Sequence, residues 1–162
     1  GIRLFISHLR AFTPDSLDPR YKCLDRLHFQ LAKIEALDAG CDDVVWLTQG
    51  GHVGEGPASN LFIARGGKLF TPGDGILHGI TRQAFMEIAA EAGIECIEAN
   101  LTPFDLYSAD ELFTCSTAGG ALAVREIAGR KIQGPVPGPI TQKLDRLYWE
   151  KRESGTDGTP LY

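Results

Sequence analysis

The strongest constraint on the fold is a helical repeat of large apolar residues in the first quarter of the chain. The repeat has the three- and four-residue spacing of a helix that buries one side. Its members are Leu24, Leu27, Leu31, Ile34 and Leu37. Asp25 stands where the first turn begins and Gly40 follows the last turn, as is common at helix ends. We therefore predict a helix from about Asp25 to Ala39 that packs through its leucine face, with Lys22 in the connection before it.

The composition is that of one globular domain. The 162 residues are 43% hydrophobic and 23% charged, which is enough for a real core. A net charge of -5 argues against nucleic-acid binding, because phosphate recognition needs a basic face. The sequence shows no run of eighteen apolar residues and no basic leader before a short hydrophobic core, so we expect no membrane association and a cytoplasmic location.

Four cysteines are scattered through patterned segments without CxxC spacing. They are Cys23, Cys41, Cys96 and Cys115. Such spacing favours reduced, mostly buried thiols over disulfides or a zinc site. We therefore expect no metal site.

Strand patterns flank the predicted helix. The chain opens in a β-prone run, IRLFISHL, and a loop with two prolines at residues 13–20 then leads to Lys22. Residues 43–48 form a continuous apolar stretch suited to a buried strand. Further along, two strand-like runs are joined by Gly66-Gly67, a dipeptide with the positive φ freedom that a tight hairpin needs.

Glu55 lies between two glycines in the segment GEGPASN. Glycines at both neighbours indicate a tightly turned segment that runs close to other backbone. The carboxylate there is either a solvated group on a surface turn or a functional group held in place by the turn. The segment alone does not decide between the two.

Two later segments could bind an anion. The loop that ends in Gly79-Ile80 leads to Thr81, near the start of a helix with Phe85, Ile88, Ala89 and Ala92 on its apolar side. A helix start offers unpaired N–H groups to a phosphate, although Thr81 could be an ordinary helix cap. The turn STAGG, residues 116–120, has two hydroxyls and two glycines after a strand and could hold an anionic oxygen or be a plain loop.

The end of the sequence is predicted to form a closing amphipathic helix. Residues from about Ile140 place one apolar side inward, made of Ile140, Leu144, Leu147 and Tyr148. We expect residues 153–162 to form a loose tail.

In this order, the segments resemble the class IV pyridoxal-phosphate enzymes. That family contains D-amino acid transaminases, branched-chain aminotransferases, aminodeoxychorismate lyases and (R)-amine transaminases. The matching pieces lie between Lys22 and about Trp149 and are KCLDRL with LAKIEA, EGPASNLF, ILHGITR, ADELFTCSTAGG and GPIT. The resemblance implies an α/β (α+β) fold, a D-amino acid aminotransferase-like large domain. In it a mixed β-sheet forms a partly closed barrel, flanked by helices that start near Asp25, Thr81 and Ile140.

The resemblance also implies a pyridoxal 5'-phosphate cofactor and roles for individual residues. It makes Lys22 the lysine that forms an aldimine with the cofactor and then moves a proton as a free amine. It makes Glu55 the carboxylate that keeps the ring nitrogen protonated, which improves the ring as an electron sink. At the position of Arg26 the lyases of the family also have arginine, and the resemblance would place this side chain close to the cofactor's phenolic oxygen.

The remaining contacts implied by the resemblance concern the phosphate and the ring face. Ile80 and Thr81 at the helix start would bind the phosphate, together with Ser116 and Thr117 on the STAGG turn. Leu77 would pack on the face of the ring.

The function implied by the resemblance is transamination between an amine or amino acid and a keto acid. CSTAGG and GPITQKLDRLYW are similar to the corresponding segments of (R)-amine transaminases. The pattern KxLxRL around Lys22 leaves open an aminodeoxychorismate-type lyase. A third alternative is a non-catalytic or incomplete cofactor-binding domain.

Two departures from the family pattern qualify these expectations. Family members carry a smaller N-terminal domain, so we expect residues 1–162 to be the large domain alone, with residues 1–20 as a connecting strand and loop. The missing domain would act in cis or as a separate chain, and the family implies a homodimer. Locally, Gly56-Pro57-Ala58 replaces a sequence such as Ser-Gly-Ser, and Pro57 removes one backbone donor with a small expected effect.

Overall fold

The computed structural model describes residues 1–155 and residue 158. Within them the chain forms eight strands and five helices. In chain order these are β1 (Ile2–Arg10), α1 (Pro14–Leu17), α2 (Leu27–Asp38), β2 (Asp43–Leu47), β3 (Asn60–Arg65), β4 (Lys68–Pro72), α3 (Ile80–Glu91), β5 (Cys96–Ala99), α4 (Pro103–Tyr107), β6 (Glu111–Ser116), β7 (Gly120–Ile127), β8 (Arg130–Lys131) and α5 (Pro139–Ser154).

The strands form one mixed sheet that is nearly closed. Their order is β2-β1-β7-β6-β3-β4-β5, with β8 paired to β7. The pairs β1–β2, β1–β7 and β4–β5 are parallel, and the others are antiparallel. The two edges approach each other at Val53, which bridges to Leu47 at the end of β2 and donates its N–H to the Leu101 carbonyl at 2.7 Å, just after β5. The expected mixed sheet and its partial closure are confirmed.

The central strands are apolar on both faces because both faces are covered. In β3, Leu61 and Ile63 belong to the core inside the curved sheet, whereas Phe62 and Ala64 belong to the core between the sheet and helices α3 and α5. The Gly66-Gly67 hairpin forms as predicted, with φ values of 57° and 79°. The opening strand β1 is more than a connection, because it pairs with β2 on one side and β7 on the other.

Helix α2 packs through the face opposite to the predicted one. It begins at Leu27, and its buried residues are Phe29, Ala32 and Ala36, which contact Val44 and Trp46 of β2. The residues of the predicted leucine face are 46–100% exposed; they are Leu24, Leu27, Leu31, Ile34 and Leu37. The prediction was wrong because the helix is apolar on both sides. Its two small alanines let it approach the sheet closely, and the larger leucines point outward.

The GPIT segment has a structural role at the start of α5. The buried carboxylate of Glu111 accepts the backbone N–H groups of Ile140 and Thr141 at 2.9 and 2.8 Å, and the Thr141 hydroxyl at 2.7 Å. A Cβ at Gly138 would collide with this carboxylate. Glu111 therefore caps the first turn of the helix from β6, where a negative charge also meets the positive end of the helix dipole.

We predict that Glu111→Ala lowers the free energy of unfolding by roughly 3 kcal/mol, because it leaves two buried donors and one half-buried donor without their acceptor. Urea unfolding followed by circular dichroism measures the change. Glu153→Ala, at the exposed end of the same helix, is the control and should change stability by less than about 0.5 kcal/mol. Equal effects of the two substitutions would contradict the capping role.

Two further expectations differ in part. Helix α5 includes Glu153 and Ser154 of the expected tail and ends at Ser154, with Gly155 as its C-cap at a φ of 69°. Residues 156, 157 and 159–162 lie outside the described residues. All four cysteines are free thiols, but Cys115 alone among them is fully buried. Across residues 1–155 and 158, no helix combines the length and apolar character needed to cross a bilayer.

Candidate active site

One cavity of about 230 Å³ gathers every residue that the sequence singled out for a site. These residues come from four separate segments of the chain. They are Lys22, Arg26, Glu55, Leu77, Ile80, Thr81, Ser116 and Thr117. The fold therefore brings together an amine, a carboxylate and two hydroxyl-bearing turns.

Lys22 lies in the irregular segment between α1 and α2. Backbone bonds from the Tyr21 N–H to the Asp18 carbonyl and from the Cys23 N–H to the Tyr21 carbonyl shape this segment on both sides of the lysine. The Lys22 side chain is exposed and contributes to the wall of the cavity. Its amine can therefore meet a molecule that enters from solvent.

The GEG segment holds Glu55 against strand β2. A Cβ at Gly54 would lie 3.0 Å from the Trp46 ring, and a Cβ at Gly56 would lie 3.1 Å from the Val44 carbonyl oxygen. The Gly54 N–H donates to the Trp46 carbonyl at 2.9 Å. Both glycines are thus required by close approach to neighbouring residues, as the sequence suggested. The surface-turn interpretation is wrong, because Glu55 is only 5% exposed.

The Glu55 carboxyl is buried but surrounded by groups that favour its charge. Burial raises the pKa of Glu55 from 4.5 to about 7. Other groups lower this pKa by stabilising the ionised carboxylate. They are the Leu77 backbone, the nearby charges of Arg26 and Lys22, and the hydrogen bond from Asn60. The carboxyl therefore titrates close to neutral pH and is suited to pair with a protonated nitrogen.

This pKa predicts how stability varies with pH in the cofactor-free protein. Folded Glu55 keeps its proton up to about pH 7, whereas the unfolded chain releases it near the ordinary glutamate pKa of 4.5, so the folded state binds more protons between these two pH values. The contribution of Glu55 to the free energy of unfolding is fully present below pH ~4.5. It is lost as the pH rises through about 7, a change of about 3 kcal/mol. Glu55→Gln should flatten this decline in urea unfolding measured from pH 5 to 8. An unchanged slope would contradict the assigned burial.

The turn before α3 approaches Glu55 from the opposite side. Its last residue, Gly79, is the N-cap of α3, and Thr81 lies inside the first turn. Thr81 is therefore not the ordinary cap that the sequence left open. Its hydroxyl instead lies 2.9 Å from the hydroxyl of Thr117. This pair joins the helix start to the STAGG turn and provides hydroxyls beside the unpaired N–H groups of the helix.

The STAGG turn is braced by α5. The Thr117 carbonyl accepts a bond from Arg152 at 2.8 Å, and the Ala121 N–H donates to Asp145 at 2.8 Å. Within the turn, the Gly119 N–H donates to the Ser116 hydroxyl at 3.2 Å. These contacts hold Ser116 and Thr117 at the cavity wall, beside Thr81.

Arg26 is held by the loop that follows Glu55. Its guanidinium donates to the Pro57 carbonyl at 3.0 Å and lies 4.0 Å from the centre of the Phe29 ring. Pro57 has no N–H to donate, but its carbonyl accepts this hydrogen bond from Arg26. Arg26 contributes positive charge near Glu55 and links helix α2 to the GEG segment.

Sequence reasoning did not single out other residues of the cavity wall. Asn60, His78 and Cys115 line it as well. Asn60 was present in the matched segment EGPASNLF, but it begins a strand, and its spacing from Glu55 gave no sign of a contact. Its partners come from two loops, which only the tertiary structure brings together.

The chemistry of this cavity fits a phosphorylated pyridine aldehyde. An amine can join an aldehyde, a carboxylate can hold a protonated ring nitrogen, and a helix start with two hydroxyls can bind a phosphate. Lys22, Glu55 and the Thr81–Thr117 pair supply these three kinds of contact around one cavity. The mixed α/β fold and this set of groups fit the binding of such a cofactor.

Comparison with known proteins identifies the family. Residues 2–127 match the family described as amino-transferase class IV. The chain is 43% identical over 154 residues to a Methanocaldococcus jannaschii protein that is provisionally named a branched-chain-amino-acid aminotransferase. The match covers 94% of this chain and 54% of that protein. It is 38% identical over 125 residues to the branched-chain-amino-acid aminotransferase of Pseudomonas aeruginosa, covering 76% and 41%. The chain therefore belongs to the class IV aminotransferase family, as the motifs indicated.

Solved structures agree on the fold. The branched-chain aminotransferase of Thermoproteus uzoniensis, solved with norvaline, superposes with a TM-score of 0.92 at 35% identity and covers 100% of this chain and 56% of its own. The pyridoxal-phosphate form of the Thermobaculum terrenum enzyme gives 0.90 at 34% identity, covering 93% and 50%. The chain spans about half the length of the relatives it matches.

Proposed function

We propose that this chain is the cofactor-binding part of a pyridoxal-phosphate-dependent aminotransferase that acts on an apolar amino acid and a keto acid. The observation that carries the proposal is the common cavity of Lys22, Glu55 and the Thr81–Thr117 pair. When bound, pyridoxal phosphate supplies an aldehyde that links amino groups and a ring that withdraws electrons. The residues of the chain hold and orient it.

Each residue then has a distinct task. The amine of Lys22 would hold the cofactor and, when free, would move a proton to or from the α-carbon of the substrate. The carboxylate of Glu55 would keep a proton on the ring nitrogen. The hydroxyls of Thr81 and Thr117, with Ser116 and the backbone at Ile80, would bind the phosphate, and Leu77 would pack on the ring face.

The relatives favour an amino acid over other amines. The similar proteins are named branched-chain aminotransferases, and one was solved with norvaline, an apolar amino acid. The Arg26 side chain, which suggested a lyase, is bound to Pro57 and Phe29 in this fold. These contacts give Arg26 a structural role that does not depend on lyase chemistry. We therefore favour transamination over the lyase and over a non-catalytic domain.

Cofactor trapping followed by an amino-transfer assay tests the proposal. The chain is incubated with pyridoxal phosphate, reduced with borohydride and digested, and we expect the added mass on Lys22. Leucine, norvaline and an (R)-amine are then compared as donors to a keto acid, with and without a supplied N-terminal domain. Amino transfer from leucine or norvaline supports the proposal. Trapping without transfer from any donor in the completed protein, or pyruvate release from aminodeoxychorismate without an acceptor, contradicts it.

We further propose that a second copy of the chain packs on the outward leucine face of α2. The charged side chains along the middle of this helix are engaged on the inner side, because Lys33 pairs with Asp43 and Glu35 binds Ser7. The outward face is therefore mainly apolar, and its exposed polar residues are Gln30 and, in the last turn, Asp38. A mainly apolar face can meet its own copy across a two-fold axis, as the homodimers of the family imply.

The dimer proposal predicts a large effect of one charge at the centre of this face. Leu31→Glu should weaken self-association by about 100-fold or more, because it buries like charges near the two-fold axis. Sedimentation equilibrium measures the dissociation constant. The control is Leu122→Glu, which changes an exposed leucine on strand β7. A monomeric wild-type chain, or equal dissociation constants for the wild type and Leu31→Glu, would contradict the proposal.

A further inference from the structure

We propose that Asn60 is a positioning residue: its side-chain amide fixes the Glu55 carboxylate at the cavity wall and joins it to the turn that leads into α3. The inference deepens the proposed function and rests on it where it assigns Glu55 to the ring nitrogen of the cofactor. The contact between Asn60 and Glu55 is independent of that assignment.

Both hydrogens of the Asn60 amide have acceptors. The nitrogen lies 3.1 Å from a carboxylate oxygen of Glu55 and 2.9 Å from the carbonyl oxygen of Leu77. Asn60 is only 6% exposed. It is the first residue of strand β3, where its backbone pairs with Cys115 of β6. A residue at this position is held by the sheet, so its amide is a fixed point between two loops.

The contacts form a network centred on Asn60. Its amide joins the Glu55 carboxyl to the Leu77 carbonyl, and the Leu77 backbone also lowers the pKa of Glu55. Glu55, Asn60 and Leu77 therefore hold one another in place. Because Leu77 is two residues before Gly79, the N-cap of α3, the network fixes the distance between the carboxylate and the helix start.

The glycine at position 79 fits the same interpretation. A Cβ on Gly79 would collide with the side-chain oxygen of Asn60. The asparagine therefore occupies space that a side chain at position 79 would need. This packing explains why the turn before Ile80 and Thr81 ends in glycine although Gly79 has an ordinary extended backbone, with φ of -66°.

The network also affects the charge of Glu55. Burial raises the pKa of this carboxyl, and the bonds from Leu77 and Asn60 act against the rise. Hydrogen bonds to a carboxylate stabilise its ionised form, so removal of the Asn60 amide should leave a proton on Glu55 at a higher pH. A protonated, neutral Glu55 carries no negative charge and could not stabilise a protonated ring nitrogen.

A titration of Glu55 in the cofactor-free chain tests the inference directly. Glutamate is labelled with ¹³C at its carboxyl carbon, and the Glu55 resonance is identified by its loss in Glu55→Gln. We expect Asn60→Ser to raise the pKa of Glu55 by about one unit, because the serine is too short to reach both acceptors. The control is Asn100→Ser, which changes the exposed second asparagine of the chain and should leave the pKa unchanged.

The outcomes separate this inference from the proposed function. Asn60→Ala serves as a second variant if Asn60→Ser does not fold, as judged by circular dichroism. A Glu55 pKa that is the same in the folded variant and in the wild type overturns the positioning role. Failure of the wild-type chain to bind pyridoxal phosphate overturns the proposed function alone, because the titration needs no cofactor. In the active protein, we expect Asn60→Ser to lower kcat about tenfold while KM changes little.

Discussion

Lys22→Ala should abolish covalent attachment of pyridoxal phosphate and reduce amino transfer by roughly 10²–10⁴-fold or more. Removal of the amine eliminates the group that joins the aldehyde and the group that moves the α-proton, and general acid–base catalysis alone contributes a factor of that size. The phosphate contacts remain, since Thr81 and Thr117 bind each other and not the lysine. We therefore expect the variant to retain weak, non-covalent cofactor binding.

Mass spectrometry after borohydride reduction measures the covalent attachment, and an amino-transfer assay measures the rate. Lys131→Ala, which removes an exposed lysine from strand β8, should behave as the wild type in both. Cofactor mass that remains attached to the Lys22→Ala chain at the wild-type level would show that another amine carries the cofactor. That result would contradict the role proposed for Lys22.

Glu55→Gln should affect chemistry far more than binding. A glutamine cannot hold a proton on the ring nitrogen by charge, so the ring becomes a poorer electron sink. The loss of one preorganised electrostatic partner typically costs roughly 10²-fold in kcat. The phosphate end of the site is on other segments, so cofactor affinity should fall much less. The same substitution removes a buried ionisable group and should raise stability above pH ~7.

Steady-state kinetics and cofactor titration measure the two effects separately. Glu87→Gln is the matched control, because it makes the same chemical change on the exposed side of α3. A Glu55→Gln variant with nearly unchanged kcat would contradict the pairing with the ring nitrogen. A variant that loses cofactor binding and kcat equally would show that Glu55 acts mainly in binding.

The candidate site could be predicted largely from local sequence patterns, because each of its groups is marked by its own short motif. Glu55 is marked by flanking glycines that fit against Trp46 and Val44, and the phosphate segments by a helix start and a two-hydroxyl turn. The order of these motifs along the chain pointed to the class IV aminotransferase family, to which the chain belongs. The eight residues selected in this way line one cavity.

The contacts that hold these groups in place were not predictable in the same way. Asn60 reaches Glu55 and a carbonyl seventeen residues further along, and Glu111 caps a helix that starts about thirty residues after it. Such partners depend on how strands and loops meet in space. A buried polar residue with no local motif therefore reveals its role only through its distant hydrogen-bond partners.

Helix α2 and the lysine before it show most clearly what the sequence determined and what the tertiary structure determined. The sequence alone determined that an apolar helix follows Lys22 and that an amine, a carboxylate and two hydroxyl-bearing segments occur in this order. It did not determine which side of the helix is buried, because both sides are apolar. The tertiary structure decided this, since Ala32 and Ala36 allow the helix to lie close to β1 and β2. The larger leucines, which the sequence assigned to the core, are left on the outside.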